Sequence, residues 1–146
     1  MPEDLIAVSP QPIDPAALVS HVADPGAGAV VLFLGTVRDH SPGREGVTHL
    51  EYEAYAGRVE EVIAGIVGEA RARWPVERAA AAHRTGDLAV GEVSVGVAVA
   101  CAHRSDAFAA ARFVIDELKR RAPIWKKEHW PGGAEWVREG GGSRES

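Results

Sequence analysis

The sequence predicts an α+β fold, a single domain in which a mixed or antiparallel sheet is packed by two main helices. Two apolar stripes repeat at three- and four-residue spacing, in residues 59–70 and 108–118. Five shorter stretches are β-branched or alternate polar with apolar residues. Their order along the chain is α, β, β, α, β, β, α, β, the pattern of the α+β class. With 146 residues, 46% of them hydrophobic, the chain is long enough for one domain that buries roughly two thirds of its unfolded surface and too short for two ordinary ones. The expected domain is residues 1–146, with 1–12 and 140–146 flexible.

Residues 1–12 are rich in proline and polar groups. Asp14 then caps a short helix whose first turn accepts Pro15, because a missing N–H there has no partner to lose. Pro25, Gly26 and Gly28 close it. AVVLFL, residues 29–34, is short and apolar on both faces, which predicts a buried strand ending at Gly35. VRDHSPGREG, residues 37–46, turns polar and glycine-bearing and predicts an exposed loop of the kind that often carries function. In residues 47–55, Leu50, Tyr52 and Ala54 fall on one face, with His49, Glu51, Glu53 and Tyr55 on the other, as in a half-solvated strand.

Val59, Val62, Ile63, Ile66, Val67 and Ala70 then form one helical stripe that must pack on a sheet, and Pro75 stops the helix. Residues 79–84 and 93–102 predict two strands around a turn containing Gly86, Asp87 and Gly91. In the second of them Val93, Val95, Val97, Val99 and Cys101 share a face. Ser105 or Asp106 is the expected cap of the second long helix, whose stripe is Phe108, Ala111, Ile115 and Leu118. Pro123 ends that helix, and residues 124–130 resume in extended form.

A net charge of −5 argues against general nucleic-acid or acidic-membrane binding, because phosphates are repelled everywhere except at a local patch. The one cysteine, Cys101, excludes an internal disulfide and a thiolate metal site within one chain, consistent with a reducing compartment. No run approaches the roughly 18 apolar residues of a membrane span, and no secretory leader opens the chain, so a soluble cytosolic protein is expected. His21, His40, His49 and His83 lack metal-type spacing, and no nucleotide-binding or nucleophile-elbow motif occurs, so neither metal nor cofactor is expected.

Against that acidic background, KRRAPIWKKEHW places five basic residues, Lys119, Arg120, Arg121, Lys126 and Lys127, within nine positions, and reads as a site for a small anion. Asp116 lies four before Arg120 and Glu117 four before Arg121, the spacing of solvated helix pairs. Lys119 leaves the helix beside the apolar stripe, either as a snorkelling side chain or as an ammonium at the border of the core. Lys126 and Lys127 must point to opposite faces of a strand, so at most one shares a pocket with Lys119. Ile124, Lys126 and Glu128 lie together; Trp125, Lys127 and His129 lie opposite, and parity alone does not choose between the faces. His103 and Arg104 sit where a strand end meets a helix start, whose free N–H groups favour an anion. Arg38 offers a guanidinium suited to two-pronged recognition of phosphate or carboxylate. Cys101, on the valine face, is rejected as a nucleophile.

FLGTVRDHSPG from Phe33, HRTGDLAVGEVSVGVAVACAHR from His83 to Arg104, and LKRRAPIWKKEHW from Leu118, in that order and spacing, resemble the catalytic (large) subunits of molybdopterin synthase, the MoaE family. The likeness runs over residues 28–138. It implies an α/β-hammerhead type of fold and a sulfurtransferase of molybdenum-cofactor biosynthesis, converting cyclic pyranopterin monophosphate (precursor Z) into molybdopterin. The sulfur donor it implies is the carboxy-terminal Gly-Gly thiocarboxylate of a small ubiquitin-like subunit. It further implies a homodimer of large subunits with a small subunit at each end, a heterotetramer.

By motif, Lys119 and Lys126 are the implied catalytic pair, with Lys119 as acid/base or transient acyl acceptor and Lys126 staying charged. Arg38, His103 and Arg104 would bind the substrate phosphate and orient the pterin, Phe33 would line the pocket, and Arg138 would reach the dimer partner's site. A cationic pocket suits this chemistry, since thiocarboxylate and cyclic phosphate are both anions. Trp125, Trp130 and Trp136 supply either interface or core. Two other readings compete: a non-catalytic module that binds a phosphorylated small molecule or a partner's tail, and a nucleic-acid binder stacking through KRRAPIWKK, which the overall acidity disfavours.

Overall fold

The computed structural model describes residues 4–41, 44–55 and 57–138, the last of them, Arg138, by its backbone alone. Eleven elements follow in the order β1 (Leu5–Ser9), α1 (Pro15–Val22), β2 (Ala29–Thr36), β3 (His49–Ala54), α2 (Arg58–Arg73), β4 (Val76–Arg84), β5 (Gly86–Ala89), β6 (Val93–Cys101), α3 (Arg104–Arg121), β7 (Ile124–Trp130) and β8 (Gly133–Arg138). The α+β class is observed, with the strands divided between two four-stranded sheets, ordered β1-β4-β6-β2 and β5-β3-β7-β8.

The first sheet is covered on both faces. Val95, Val97, Val99 and Cys101 of β6 share one face, as the alternation predicts, and pack with Ala79 and Ala81 against α2 and α3. Those helices contribute Val59, Ile63, Ile66 and Val67, and Ala107, Ala110, Val114 and Leu118. The opposite face carries Ala80, Ala82, Ala98 and Ala100 beneath Leu18 and Val22 of α1. Small residues let the short helix sit close: a Cβ on Gly96 would stand 2.6 Å from Leu18 Cδ1. Asp14 caps α1 as expected, accepting the Ala16 N–H at 3.0 Å, with Pro15 in the first turn.

Several expectations are corrected. Residues 5–9, placed in a flexible segment, form β1, parallel to β4 with Leu5 opposite Ala80. A five-residue strand among prolines has no periodicity to read, and its partner residues lie 75 positions away. The turn after β4 contains β5, which pairs antiparallel with β3 and buries Leu88 completely. A further strand, β8, folds back on β7 at Gly132, whose φ of +102° suits glycine. The cap of α3 is His103, through its backbone only, so Ser105 and Asp106 lie in the first turn. Phe108 is 62% exposed, whereas Ala111, Ile115 and Leu118 are buried as expected, joined by Ala107, Ala110 and Val114. Glu117 pairs with Arg121 at 3.0 Å as expected, but also with Arg120, while Asp116 turns back to Arg112 at 3.4 Å. The flexibility expected of residues 1–3 and 140–146 lies outside the described residues. Among those described, no helix is long and apolar enough to cross a membrane.

Candidate active site

A pocket of about 160 Å³ opens where the two sheets meet at the carboxy-terminal end of α3. The first sheet supplies Gly35 and Thr36 from the end of β2, His83 from β4, and Ser94 and Val95 from the start of β6. The second supplies Leu50 and Tyr52 from β3 and Lys126 and Glu128 from β7. Leu118 and Lys119 come from the last turn of α3, and Arg38, His40 and Ser41 from the loop after β2. Three of the sequence-predicted site residues, Arg38, Lys119 and Lys126, therefore converge from three separate segments.

Register selects the lysine. In the antiparallel β3–β7 pair Tyr52 stands opposite Lys126 and Leu50 opposite Glu128, and Leu50 and Tyr52 are buried. Lys126 and Glu128 therefore face inward, whereas Lys127 lies outside with its ammonium 5.5 Å from the Trp136 ring centroid. Lys119 sits half-buried at the pocket rim, beside the fully buried Leu118.

Glu128 is a buried carboxylate, 2% exposed, with two cationic side chains beside it. Its Oε1 accepts from Arg44 Nη1 at 2.6 Å and from Ser41 Oγ at 3.2 Å, while its Oε2 lies 3.9 Å from Lys126 Nζ. Ser41 and Arg44 also exchange backbone hydrogen bonds of 2.9 Å, which ties the loop that carries Arg38 to the pocket wall. At the floor, buried His83 donates from Nδ1 to the Arg84 carbonyl at 2.8 Å, since a carbonyl can only accept. The Tyr52 ring meets it edge-on at 5.0 Å.

Other predicted residues lie elsewhere in the single chain. His103 and Arg104 are exposed at the start of α3, sixteen and fifteen residues before Lys119, or roughly 24 Å along the helix. They cannot share a pocket with the Lys119 of their own chain. Phe33 is 37% exposed on β2 and is not among the lining residues, although its ring edge approaches Gly35. Arg138 ends β8 with its backbone opposite Trp125. Cys101 is fully buried, and burial, reinforced by Asp106 and Glu77, raises its thiol pKa. Trp125 and Trp136 are exposed, while Trp130 is half-buried beneath Arg44.

The residues that sequence reasoning passed over are Ser41, Arg44, Tyr52, His83 and Glu128. Glu128 had a signal, since it shares strand parity with Lys126. Arg44 had none, because its side-chain partners are more than eighty residues away. Among the described residues, no group of three or more histidine, cysteine or acidic side chains is placed to hold a metal ion.

Residues 8–121 match the MoaE protein family. The chain is 46% identical over 138 residues to the molybdopterin synthase catalytic subunit of Escherichia coli (strain K12), covering 94% of this chain and 91% of that protein. It is 44% identical over 137 residues to that of Nostoc sp. (strain PCC 7120), covering 92% and 82%. The crystal structure of molybdopterin synthase from Staphylococcus aureus superimposes with a TM-score of 0.84 at 35% identity, covering 94% of this chain and 98% of that one.

Proposed function

The chain belongs to the MoaE protein family, and on that premise we propose that it is the catalytic subunit of a molybdopterin synthase, a sulfurtransferase of molybdenum-cofactor biosynthesis. Its substrate in this reading is cyclic pyranopterin monophosphate. Its sulfur donor is the Gly-Gly thiocarboxylate tail of a small ubiquitin-like subunit. The observation that carries the reading is the convergence of Arg38, Lys119 and Lys126 on one pocket. Thiocarboxylate and cyclic phosphate repel each other, and cations held in place before the reactants arrive stabilise both without reorganising. A narrow pocket admits a tail that lacks side chains.

In this assignment Lys119 serves as acid/base or transient acyl acceptor, and Lys126 remains charged against the thiocarboxylate or phosphate. Arg38 offers the phosphate a planar pair of donors. His103 and Arg104 enter from a second copy of the chain. The distance along α3 supports this, as do two exposed aromatic side chains, Phe33 on the edge strand β2 and Phe108 near the start of α3. A two-fold contact there brings the start of one α3 towards the pocket of the other chain, in a homodimer that carries one small subunit at each end. Arg138, beside Trp125, belongs to the same proposal. A cytoplasmic setting fits the single unpaired thiol.

The test is reconstitution with thiocarboxylated small subunit and cyclic pyranopterin monophosphate. Wild-type protein yields the dithiolene, and Lys119→Ala binds the small subunit but yields none. Wild-type turnover in Lys119→Ala refutes the assignment; a wild-type chain that binds the tail without forming dithiolene is instead a non-catalytic module.

A further inference from the structure

We propose that Arg44 is a positioning residue of this site: it holds the buried Glu128 carboxylate and thereby leaves the Lys126 ammonium available to an incoming anion. The inference deepens the sulfur-transfer reading and rests on it for the identity of that anion.

A carboxylate only 2% exposed needs a cationic partner, and two cations stand near it. Arg44 is at hydrogen-bond length, 2.6 Å to Oε1, whereas Lys126 is at 3.9 Å from Oε2, an ion pair without a hydrogen bond. Arg44 is held there from two further directions. Its guanidinium carbon lies 3.8 Å from the Trp130 ring centroid, and its Nη2 is 3.5 Å from Glu135. The planar fork is thus fixed by residues of β7 and β8, while Lys126 is a flexible stem with a point charge.

The consequence is a competition that Arg44 wins. Without its charge, Glu128 is left in the protein interior with the Lys126 ammonium 3.9 Å from its Oε2. The ammonium then closes from 3.9 Å to hydrogen-bond length, roughly 2.8 Å, and its charge is cancelled before substrate arrives. Lys119 is carried on a different element, α3. Loss of Arg44 therefore weakens anion binding more than it slows bond-making, and removal of the Glu128 charge reverses the loss.

The experiment compares wild type, Arg44→Met, Arg44→Lys, Glu128→Gln and the Arg44→Met/Glu128→Gln double variant. One readout is the KM and kcat of dithiolene formation; the other is calorimetric affinity for inorganic pyrophosphate. Arg44→Met is expected to raise KM and weaken pyrophosphate binding by about tenfold, with kcat within about threefold of wild type. Arg44→Lys keeps the charge but loses the planar fork, and falls between wild type and Arg44→Met. The double variant binds more tightly than Arg44→Met alone, because glutamine has no charge with which to capture Lys126. Wild-type KM and affinity in Arg44→Met overturn the proposal, and so does a double variant no better than Arg44→Met, the result that a purely structural role for Arg44 gives. If Arg44→Met does not fold by circular dichroism, Arg44→Gln takes its place under the same criteria. The pyrophosphate measurement needs no turnover. A wild-type chain that forms no dithiolene therefore removes the sulfur-transfer reading, while the affinities still decide the role of Arg44.

Discussion

Tyr52 on β3 stands directly opposite Lys126 on β7, and this pairing decides which of two adjacent lysines enters the pocket. Tyr52 is buried, so the residue across from it on the same face turns inward, and Lys127 is left outside on Trp136. A one-residue slip of β7 would exchange the two.

Lys126→Ala is accordingly expected to lower kcat/KM for dithiolene formation by about tenfold or more, with most of the loss in KM, because it removes outright a charge that binds the incoming anion. Lys127→Ala removes only an exposed cation–π contact worth about 0.5–1 kcal/mol and should leave turnover within about twofold. Parallel steady-state assays of the two variants decide it, and equal losses in both would refute the inward assignment.

Mixing two inactive variants tests the shared site. If His103 and Arg104 act on the pocket of a second copy, Arg104→Ala and Lys119→Ala chains each fail alone. Co-refolded at equal ratio, they restore about a quarter of wild-type sites, because half of the dimers are mixed and each mixed dimer holds one intact pocket. Activity no higher than that of the separate variants removes the shared-site proposal.

Asp4 clamps the start of β1 to the rest of the fold. Its Oδ1 accepts from Arg71 Nη2 at 2.7 Å and from the Ala79 N–H at 3.1 Å. Burial alone would raise the Asp4 pKa, but the Arg71 hydrogen bond and charge and the Ala79 N–H outweigh it, so the carboxyl lies below its usual range. A depressed carboxyl pKa contributes stability that is present above the unfolded value, about 4, and is lost as pH falls through the lower folded value. Asp4→Asn should therefore destabilise by about 1–2 kcal/mol at pH 7 in urea unfolding, with the gap narrowing as pH is lowered below about 4. A gap that does not change with pH would contradict the charged clamp.

Cys101 should resist modification. It is fully buried on the β6 face beneath α2 and α3, with its thiol pKa raised chiefly by burial. Ellman's reagent should label native protein no faster than it unfolds and label it at once in denaturant. Rapid native labelling would show that the β6 face is open to solvent.

Much of this site was legible along the chain because helices and strands are local. The stripe of α2 and the valine face of β6 follow from spacing alone, and so does the requirement that Lys126 and Lys127 diverge. The elements that were missed are those whose stability is not local. The strand β1 exists because β4 and the Arg71 clamp receive it, and β5 because β3 offers an edge and Leu88 a place in the core. Phe108 is the converse case: its bulk does not bring burial, because the first half of α3 packs closely through alanines.

By itself the sequence determined the α+β class, the helix faces, the inert cysteine and the set of cations from which an anion site could be built, since each depends on residues within a few positions of one another. Only the tertiary structure decided which cations meet. It brought Arg38, Lys119 and Lys126 together, set His103 and Arg104 roughly 24 Å along the helix from Lys119, and placed Arg44 and Lys126 on one buried carboxylate. Those choices rest on register and on sheet-to-sheet packing. Both are settled by burial across dozens of residues of separation, and no local spacing records them.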